Sequence, residues 1–268
     1  MNTQTNNTKP VDTKLKAFIF DVDGTLSDTE RDGHRVAFNQ AFKEYGMDWH
    51  WSVETYGELL AVTGGKERMK FYTEKFLDKE DIPDNIDTLI PELHQAKTRH
   101  YTELLSTGAI PLRPGVERLI NEARQRGFRL AIATTTTPEN VTALLTHTLG
   151  ADSIDWFDVI AAGDIVPAKK PAPDIYDYAL KEMNLSADEC IAFEDSINGI
   201  KSTLGANLTT IITINDYTKE HDFTGACAVL DQMGEPGKSF SAITGNINGS
   251  TYLDCDLVIQ LHQQSVTD

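Results

Sequence analysis

The chain reads as an α/β protein, a mostly parallel sheet with helices on both faces and an α-helical cap inserted near its start. Three observations predict this. An apolar run at residues 17–20 is followed at once by two aspartates and a glycine, in FDVDGT from Phe20 to Thr25. From residue 116 onward, helix-like and strand-like segments alternate, and such βα repeats imply a parallel sheet covered on both sides. Between these regions, residues 30–108 show only helical periodicity. The first strand therefore joins the later sheet, and the helical block is an insertion above its end. The expected division is residues 14–29 with 109–268 as a Rossmann-like core, and 30–108 as the cap.

Taken in order, the first run is aromatic and branched and closes on Gly24, which reads as a buried strand ending in a tight loop. Asp21 and Asp23 then sit at the strand's C-terminal end, where open α/β sheets place their ligands. Residues 34–46 carry Phe38, Ala41, Phe42 and Tyr45 at helical spacing before a glycine stop. Two more helices are predicted within 53–76, broken at VTGGK, with Met69, Tyr72 and Phe76 on one face. A long amphipathic helix follows over 86–105. GAIPLRPG, from Gly108 to Gly115, is a linker or re-entry turn. Beyond it, helices are predicted at 116–126, 138–149, 174–183 and 197–204, and strands at 128–133, 157–161, 190–193 and 209–214. In the tail, 226–230 and 257–259 read as two edge strands, joined by a glycine-rich loop with a short hairpin.

Composition narrows the function classes. Against 24 basic residues stand 41 acidic ones, a formal charge of -17. Such a field repels nucleic acid and anionic membranes. It repels an anionic substrate too, unless placed cations or a divalent metal reverse the potential locally. Cys190, Cys227 and Cys255 are odd in number and lack metal-site spacing, so reduced thiols are expected. No apolar stretch approaches membrane-spanning length. The polar leader MNTQTNNTKP has no apolar h-region and is expected to be a frayed end on a soluble, cytoplasmic monomer.

Four clusters fall after predicted strands and converge on one sheet edge: Asp21 with Asp23, Thr134 with Thr135, Lys170, and Glu194 with Asp195. Their chemistry suits phosphoryl transfer. Asp21 can attack phosphorus to give an aspartyl-phosphate. Asp23 can protonate the leaving oxygen and then activate water. Asp21, Glu194, Asp195 and the Asp23 carbonyl offer hard oxygen ligands for Mg2+. Lys170 supplies a fixed charge, and Thr134 a hydroxyl beside backbone amides that can cradle phosphate oxygens. Bland readings stand beside these. The Asp-Val-Asp-Gly loop alone is equally an ordinary turn or a calcium loop, although no glutamate occupies its twelfth position. Thr134 can serve as an N-cap, yet Thr137 before Pro138 is the better one. Lys169 reads as solvated, Glu194 and Asp195 can cap the helix near Ser196, and Asp28 braces the loop.

FDVDGT, the hydroxyl at Thr134, KKPAPDIY from Lys169 and FEDSINGI from Phe193 together resemble the four signatures of the haloacid dehalogenase-like hydrolase superfamily. The match is to the subgroup with a helical cap between the first two signatures, which includes phosphoglycolate phosphatases and β-phosphoglucomutases. The resemblance implies Asp21 as nucleophile, Asp23 as acid/base, Thr134 and Lys170 on the phosphate, and Asp195 on magnesium with Glu194 assisting. DTERDGHRVAFNQAF and YGELLAVTGGKERM are similar to the CbbY-type branch, sugar bisphosphate phosphatases associated with carbon fixation. That likeness implies a substrate similar to xylulose 1,5-bisphosphate, and in a eukaryotic phototroph a chloroplast stroma location.

A bisphosphate needs a second cationic site. Gly65, Lys66 and Arg68 at a helix start, and Arg35 on the first cap helix, are candidates for the distal phosphate, with Glu30 accepting a sugar hydroxyl. Solvent-facing charge is the plain alternative for each. His34 shares a face with Phe38 and reads as a packing or capping residue. The rival activities are a β-phosphoglucomutase-like mutase, a phosphoglycolate or other sugar-monophosphate phosphatase, and a binding protein without turnover. The last predicts loss of a site residue, and Asp21, Asp23, Lys170 and Asp195 are all present.

Overall fold

The computed structural model describes residues 13–267. The polar leader expectation lies outside the described residues. A single seven-stranded sheet forms the centre, built from β1 (Ala17–Phe20), β2 (Arg129–Ala133), β3 (Val159–Ala161), β4 (Cys190–Glu194), β5 (Thr209–Thr213), β6 (Ala228–Leu230) and β7 (Ala242–Thr244). Its order is β3-β2-β1-β4-β5-β6-β7. All neighbours pair in parallel except the outermost β6 and β7. β1 thus lies between β2 and β4, with Phe20 opposite Ile132 and Phe193.

A strand covered on both faces needs no polar side, which is why β1 reads as an unbroken apolar run. Phe18 and Phe20 point into one layer with Phe193, Leu130 and Ile132. There they meet α5 (Val116–Gln125), α6 (Pro138–Leu149) and α9 (Cys255–Thr267). Ala17 and Ile19 point the other way, onto α7 (Asp174–Met183), while α8 (Ile197–Gly205) covers Ile212 on the same side. The aromatic stack of Phe20 on Phe193, 4.5 Å between centroids, locks the register at the edge where the aspartates emerge.

Between β1 and α5 the chain forms one π-helical turn (Glu30–His34) and then α1 (Arg35–Glu44), α2 (Val53–Leu59), α3 (Gly65–Phe76) and α4 (Ile86–Ser106). These helices make a cap-like insertion with its own apolar cluster around Phe38, Phe42, Trp51, Tyr56, Leu59 and Met69. Thr137 caps α6, accepting from the Asn140 N–H, with Pro138 at the first helical position.

One predicted strand is corrected. Residues 257–259 lie inside α9, where Leu257, Val258, Ile259 and Leu261 are buried against the sheet. A three-residue branched run cannot separate strand from helix by periodicity. The deciding feature is Asp254, whose carboxylate accepts from the Leu257 N–H at 2.8 Å and so starts a helix. β7 is the short hairpin strand of the tail loop. No helix of the described chain is long and apolar enough to cross a membrane, and all three cysteines are free.

Arg113, from the re-entry segment, is 7% exposed and ties the sheet edge together. Its guanidinium donates to the carbonyls of Gly24, Thr213, Ile214 and Asp231 and pairs with Asp28 at 3.3 Å. Removing it leaves several buried carbonyls without a donor. Arg113→Met should therefore destabilise the fold by about 3 kcal/mol or more, and Arg113→Lys should recover little, because an ammonium cannot reproduce the fork. Denaturant melts of the two variants measure this; a change under about 1 kcal/mol in both would refute it.

Candidate active site

The parallel sheet delivers its chemistry at the C-terminal ends of the strands. Asp21 and Asp23 follow β1, Thr134 follows β2, Glu194 ends β4 with Asp195 next, and Lys170 comes from the β3–α7 connection. The Asp21 N–H donates to the Phe193 carbonyl, so the first carboxylate leaves the sheet in register. Gly24 then turns at φ +87°, and a Cβ there would fall 2.2 Å from Asp195 Oδ2. Only glycine lets this loop lie against the second acidic cluster.

Asp21, Glu194 and Asp195 bring one oxygen each to within 4.8 Å of one another, all buried. Lys170 Nζ sits among them, 2.7 Å from Asp21 Oδ1, 2.6 Å from Glu194 Oε1 and 2.9 Å from the Ala133 carbonyl. Tyr176 Oη also donates to Glu194 Oε1, at 2.5 Å. Burial pushes the Asp21 carboxyl up to about 7, with Lys170 opposing and Glu194 reinforcing the rise. Burial likewise holds Asp195 well above the usual carboxylate range, helped by Asp21 and Glu194. Burial would lower the Lys170 ammonium, but Asp21 and Glu194 outweigh it and hold its pKa above the ordinary value. With all three ionised, the carboxylates against one ammonium leave two negative charges, and the donors are all hard oxygens. A divalent cation such as Mg2+ fits this charge and donor set.

Asp23 belongs to a separate arrangement. Its Oδ1 accepts from Thr29 Oγ1 at 2.6 Å and lies 2.7 Å from His34 Nε2, while Lys97 Nζ lies 2.8 Å from His34 Nδ1. An ammonium only donates, so Nδ1 is the acceptor and Nε2–H points at Asp23. Burial alone would raise Asp23; His34, Thr29 and Lys97 overturn that and hold it far below its ordinary value. Lys97 is buried between the rings of Phe38 and Tyr101. Burial drops its pKa to about 8, with Arg68 adding to the fall and Asp23 and Glu30 opposing it.

The cleft has two chambers that share Asp23, Glu30, Arg68 and Thr135. The smaller, about 300 Å³, holds the acidic triad, Thr134 and Lys170. The larger, about 490 Å³, runs under the cap to Gly65, Lys66, His94 and the start of α6. Its charges are paired across the cleft. Lys66 of the cap meets Asp164 of the core at 2.6 Å, and Lys169 bridges Asp164 at 2.9 Å and Glu67 at 3.1 Å. Burial pushes His94 down to about 3, and Lys97, Lys66 and Lys169 press in the same direction.

Of the predicted substrate residues, Glu30, Gly65, Lys66, Arg68 and Thr135 line this cleft. Glu30 accepts from Tyr56 Oη and pairs with Arg68 at 3.6 Å, and Arg68 Nη1 donates to Tyr56 Oη at 2.6 Å. Arg35 is not brought there; its guanidinium donates to the Arg31 and Trp51 carbonyls and braces the cap. Lys169 is not solvated, because Asp164 and Glu67, the latter distant in sequence, enclose it. The sequence reading missed His34, Lys97, Tyr176 and Asn215 as members of the site. Lys97 left one trace, a lone charge in the apolar stripe of Leu93 and Tyr101 at four-residue spacing.

Loss of the Lys97 proton should weaken its bond to Nδ1 and loosen the Nε2–H bond that aims Asp23. Activity should therefore fall as pH rises through about 8. The fold should not fall with it: the depressed pKa means the unfolded chain holds an extra proton between about 8 and 10.5, so this group adds stability as pH rises there. Rate and melting profiles in parallel test this, and Lys97→Arg should shift the alkaline limb upward. An unchanged limb in that variant would exclude Lys97 as its origin.

The chain is similar to known proteins over most of its length. Residues 15–207 match the family profile of haloacid dehalogenase-like hydrolases. Protein CbbY (plasmid) of Cupriavidus necator is 45% identical over 224 residues, covering 84% of this chain and 88% of that protein. A CBBY-like protein of Arabidopsis thaliana is 40% identical over 223 residues, 82% of this chain and 70% of its own length. Among solved structures, an aspartate-to-asparagine variant of CbbY from Rhodobacter sphaeroides in complex with xylulose-(1,5)bisphosphate superposes with a TM-score of 0.77. It is 44% identical, over 83% of this chain and 96% of that one.

Proposed function

The chain belongs to the haloacid dehalogenase-like hydrolase family, and from that premise we propose a magnesium-dependent phosphatase of the CbbY type that hydrolyses a sugar bisphosphate, xylulose 1,5-bisphosphate, through a phosphorylated Asp21. The observation that carries this reading is the two-chambered cleft, with a buried acidic triad and Lys170 at one end and cationic groups under the cap at the other. The CbbY relatives, one of them solved with that bisphosphate, support the substrate. In this reading residues 14–29 and 109–268 are the catalytic core and 30–108 the cap.

Lys170 holds one oxygen of Asp21, leaving the other to attack phosphorus. As the Asp21 O–P bond forms, the bond from phosphorus to the sugar oxygen breaks, and Asp23 gives that oxygen a proton. The dianionic ester brings negative charge toward Asp23 and so offsets the His34 and Thr29 bonds that favour its ionised form, letting it take from solvent the proton that it passes to the sugar oxygen. Asp23 then takes a proton from water, whose oxygen attacks the phosphorus and regenerates Asp21. Thr134, Thr135 and the amides around them hold the phosphoryl oxygens. Asp21, Glu194, Asp195 and the Asp23 carbonyl would hold magnesium, whose positive charge would let the carboxylate and phosphate approach. For the distal phosphate, Gly65, Lys66 and Arg68 are the proposed partners, with Glu30 on a sugar hydroxyl. Arg68 Nε is buried without a partner among the described residues, which leaves a donor free for an anion.

Phosphate release from a panel of sugar mono- and bisphosphates tests the proposal. Xylulose 1,5-bisphosphate should lead ribulose 1,5-bisphosphate and phosphoglycolate, EDTA should abolish release, and Asp21→Asn should lower kcat by at least about 1000-fold. Arg68→Ala should raise KM for the bisphosphate about 30-fold and leave monophosphate turnover nearly unchanged. A leading monophosphate would remove the distal assignment. Isomer formation in place of free phosphate would make the chain a mutase.

A further inference from the structure

The metal carboxylates and the cap meet in one short turn after β5 that the foregoing roles do not use. Asn215 donates from Nδ2 to Asp195 Oδ2 at 2.6 Å. Its Oδ1 accepts from the Tyr217 backbone N–H at 2.9 Å, and its own N–H donates to Thr218 Oγ1 at 2.9 Å. The amide is therefore oriented by the turn itself, so a shift in the turn moves the group that aims Asp195.

Tyr217 leaves the core side of this turn and packs into the cap. It is the one member of the cap's apolar cluster drawn from outside residues 38–93 among the described residues. Its ring stands edge-on to Tyr56 at 6.2 Å and lies over Gly57 of α2, where a Cβ would come within 3.3 Å of the ring. Tyr56 in turn donates to Glu30 and accepts from Arg68, the pair shared by both chambers. The Tyr217 hydroxyl is buried without a partner among the described residues, so ring packing rather than a hydrogen bond holds the side chain.

We propose that Asn215 and Tyr217 are positioning residues that couple closure of the cap to the orientation of the Asp195 carboxylate at the metal site, an inference that rests on the magnesium phosphatase reading above. With the cap closed, Gly57 and Tyr56 seat the Tyr217 ring, the turn is held, and the Asn215 amide keeps Asp195 facing Asp21 and Glu194 despite their mutual repulsion. With the cap lifted, the ring loses that seat and the amide its support. The metal site is then best ordered when the cleft is shut against water. An aspartate in place of Asn215 would add a fourth carboxylate and remove the donor, so the amide is the chemistry this position requires.

Direct titration of Mg2+ by calorimetry comes first, on the wild-type chain and on Asp195→Asn. If neither binds the ion, or both bind it equally, the magnesium reading itself fails. With that reading standing, Asn215→Ala should weaken Mg2+ binding by about tenfold or more, the loss of one hydrogen bond to a charged group. Tyr217→Ala should raise the Mg2+ concentration for half-maximal turnover, Tyr217→Phe should not, and Tyr217→Ala should add little to Asn215→Ala in the double variant. Gly57→Val keeps the core sequence intact and crowds the ring from the cap, so it too should raise the half-saturating Mg2+ by about threefold or more. Wild-type Mg2+ affinity in Asn215→Ala, effects that simply multiply in the double variant, or an unchanged Mg2+ requirement in Gly57→Val would overturn the proposal.

Discussion

Three carboxylates in one buried pocket against a single ammonium is the constraint on which the rest of the site depends. Asp21, Glu194 and Asp195 repel one another, and burial magnifies the repulsion because little water is present to screen it. Lys170 answers part of it by touching two of the three. The remainder calls for a divalent cation and for rigid surroundings. Gly24 lets the first loop lie against Asp195, Asn215 donates to that carboxylate, and Arg113 fastens the Gly24 carbonyl to the ends of β5 and β6.

Phosphate chemistry on a chain of charge -17 needs cations held locally, and the cleft holds its own in pairs with carboxylates. Lys66 and Lys169 share Asp164, Lys169 also meets Glu67, and Arg68 meets Glu30. Only Lys97 reaches its carboxylate through an imidazole, His34, and that intermediate ring is what aims Asp23. The cations are therefore held near the cleft by carboxylates of both cap and core, so a closed cap and an ordered charge pattern are the same arrangement.

Where the sequence reading departed from the fold, each departure has its own physical reason. Leu257 to Ile259 resembled a strand because three branched residues fit either period, and Asp254 settled the matter only through its bond to the Leu257 N–H. Arg35 was placed with the distal-phosphate groups by its position on the first cap helix, yet the Trp51 carbonyl lies within its reach and claims it. Lys169 read as solvated because its two acidic partners are about 100 and five residues away.

Sequence alone determined the parallel core and the inserted cap, and it brought Asp21, Asp23, Thr134, Lys170, Glu194 and Asp195 to one sheet edge, since period, turn chemistry and residue type are local properties that strand order then carries to one edge. Tertiary structure alone decided which charges are paired and which group orients which. His34 meets Asp23 across 11 residues, Lys97 meets His34 across 63, and Asn215 meets Asp195 across 20. Hydrogen bonds act over about 3 Å and leave no periodic mark along the chain. Only the folded backbone, by bringing those positions within reach, could assign them.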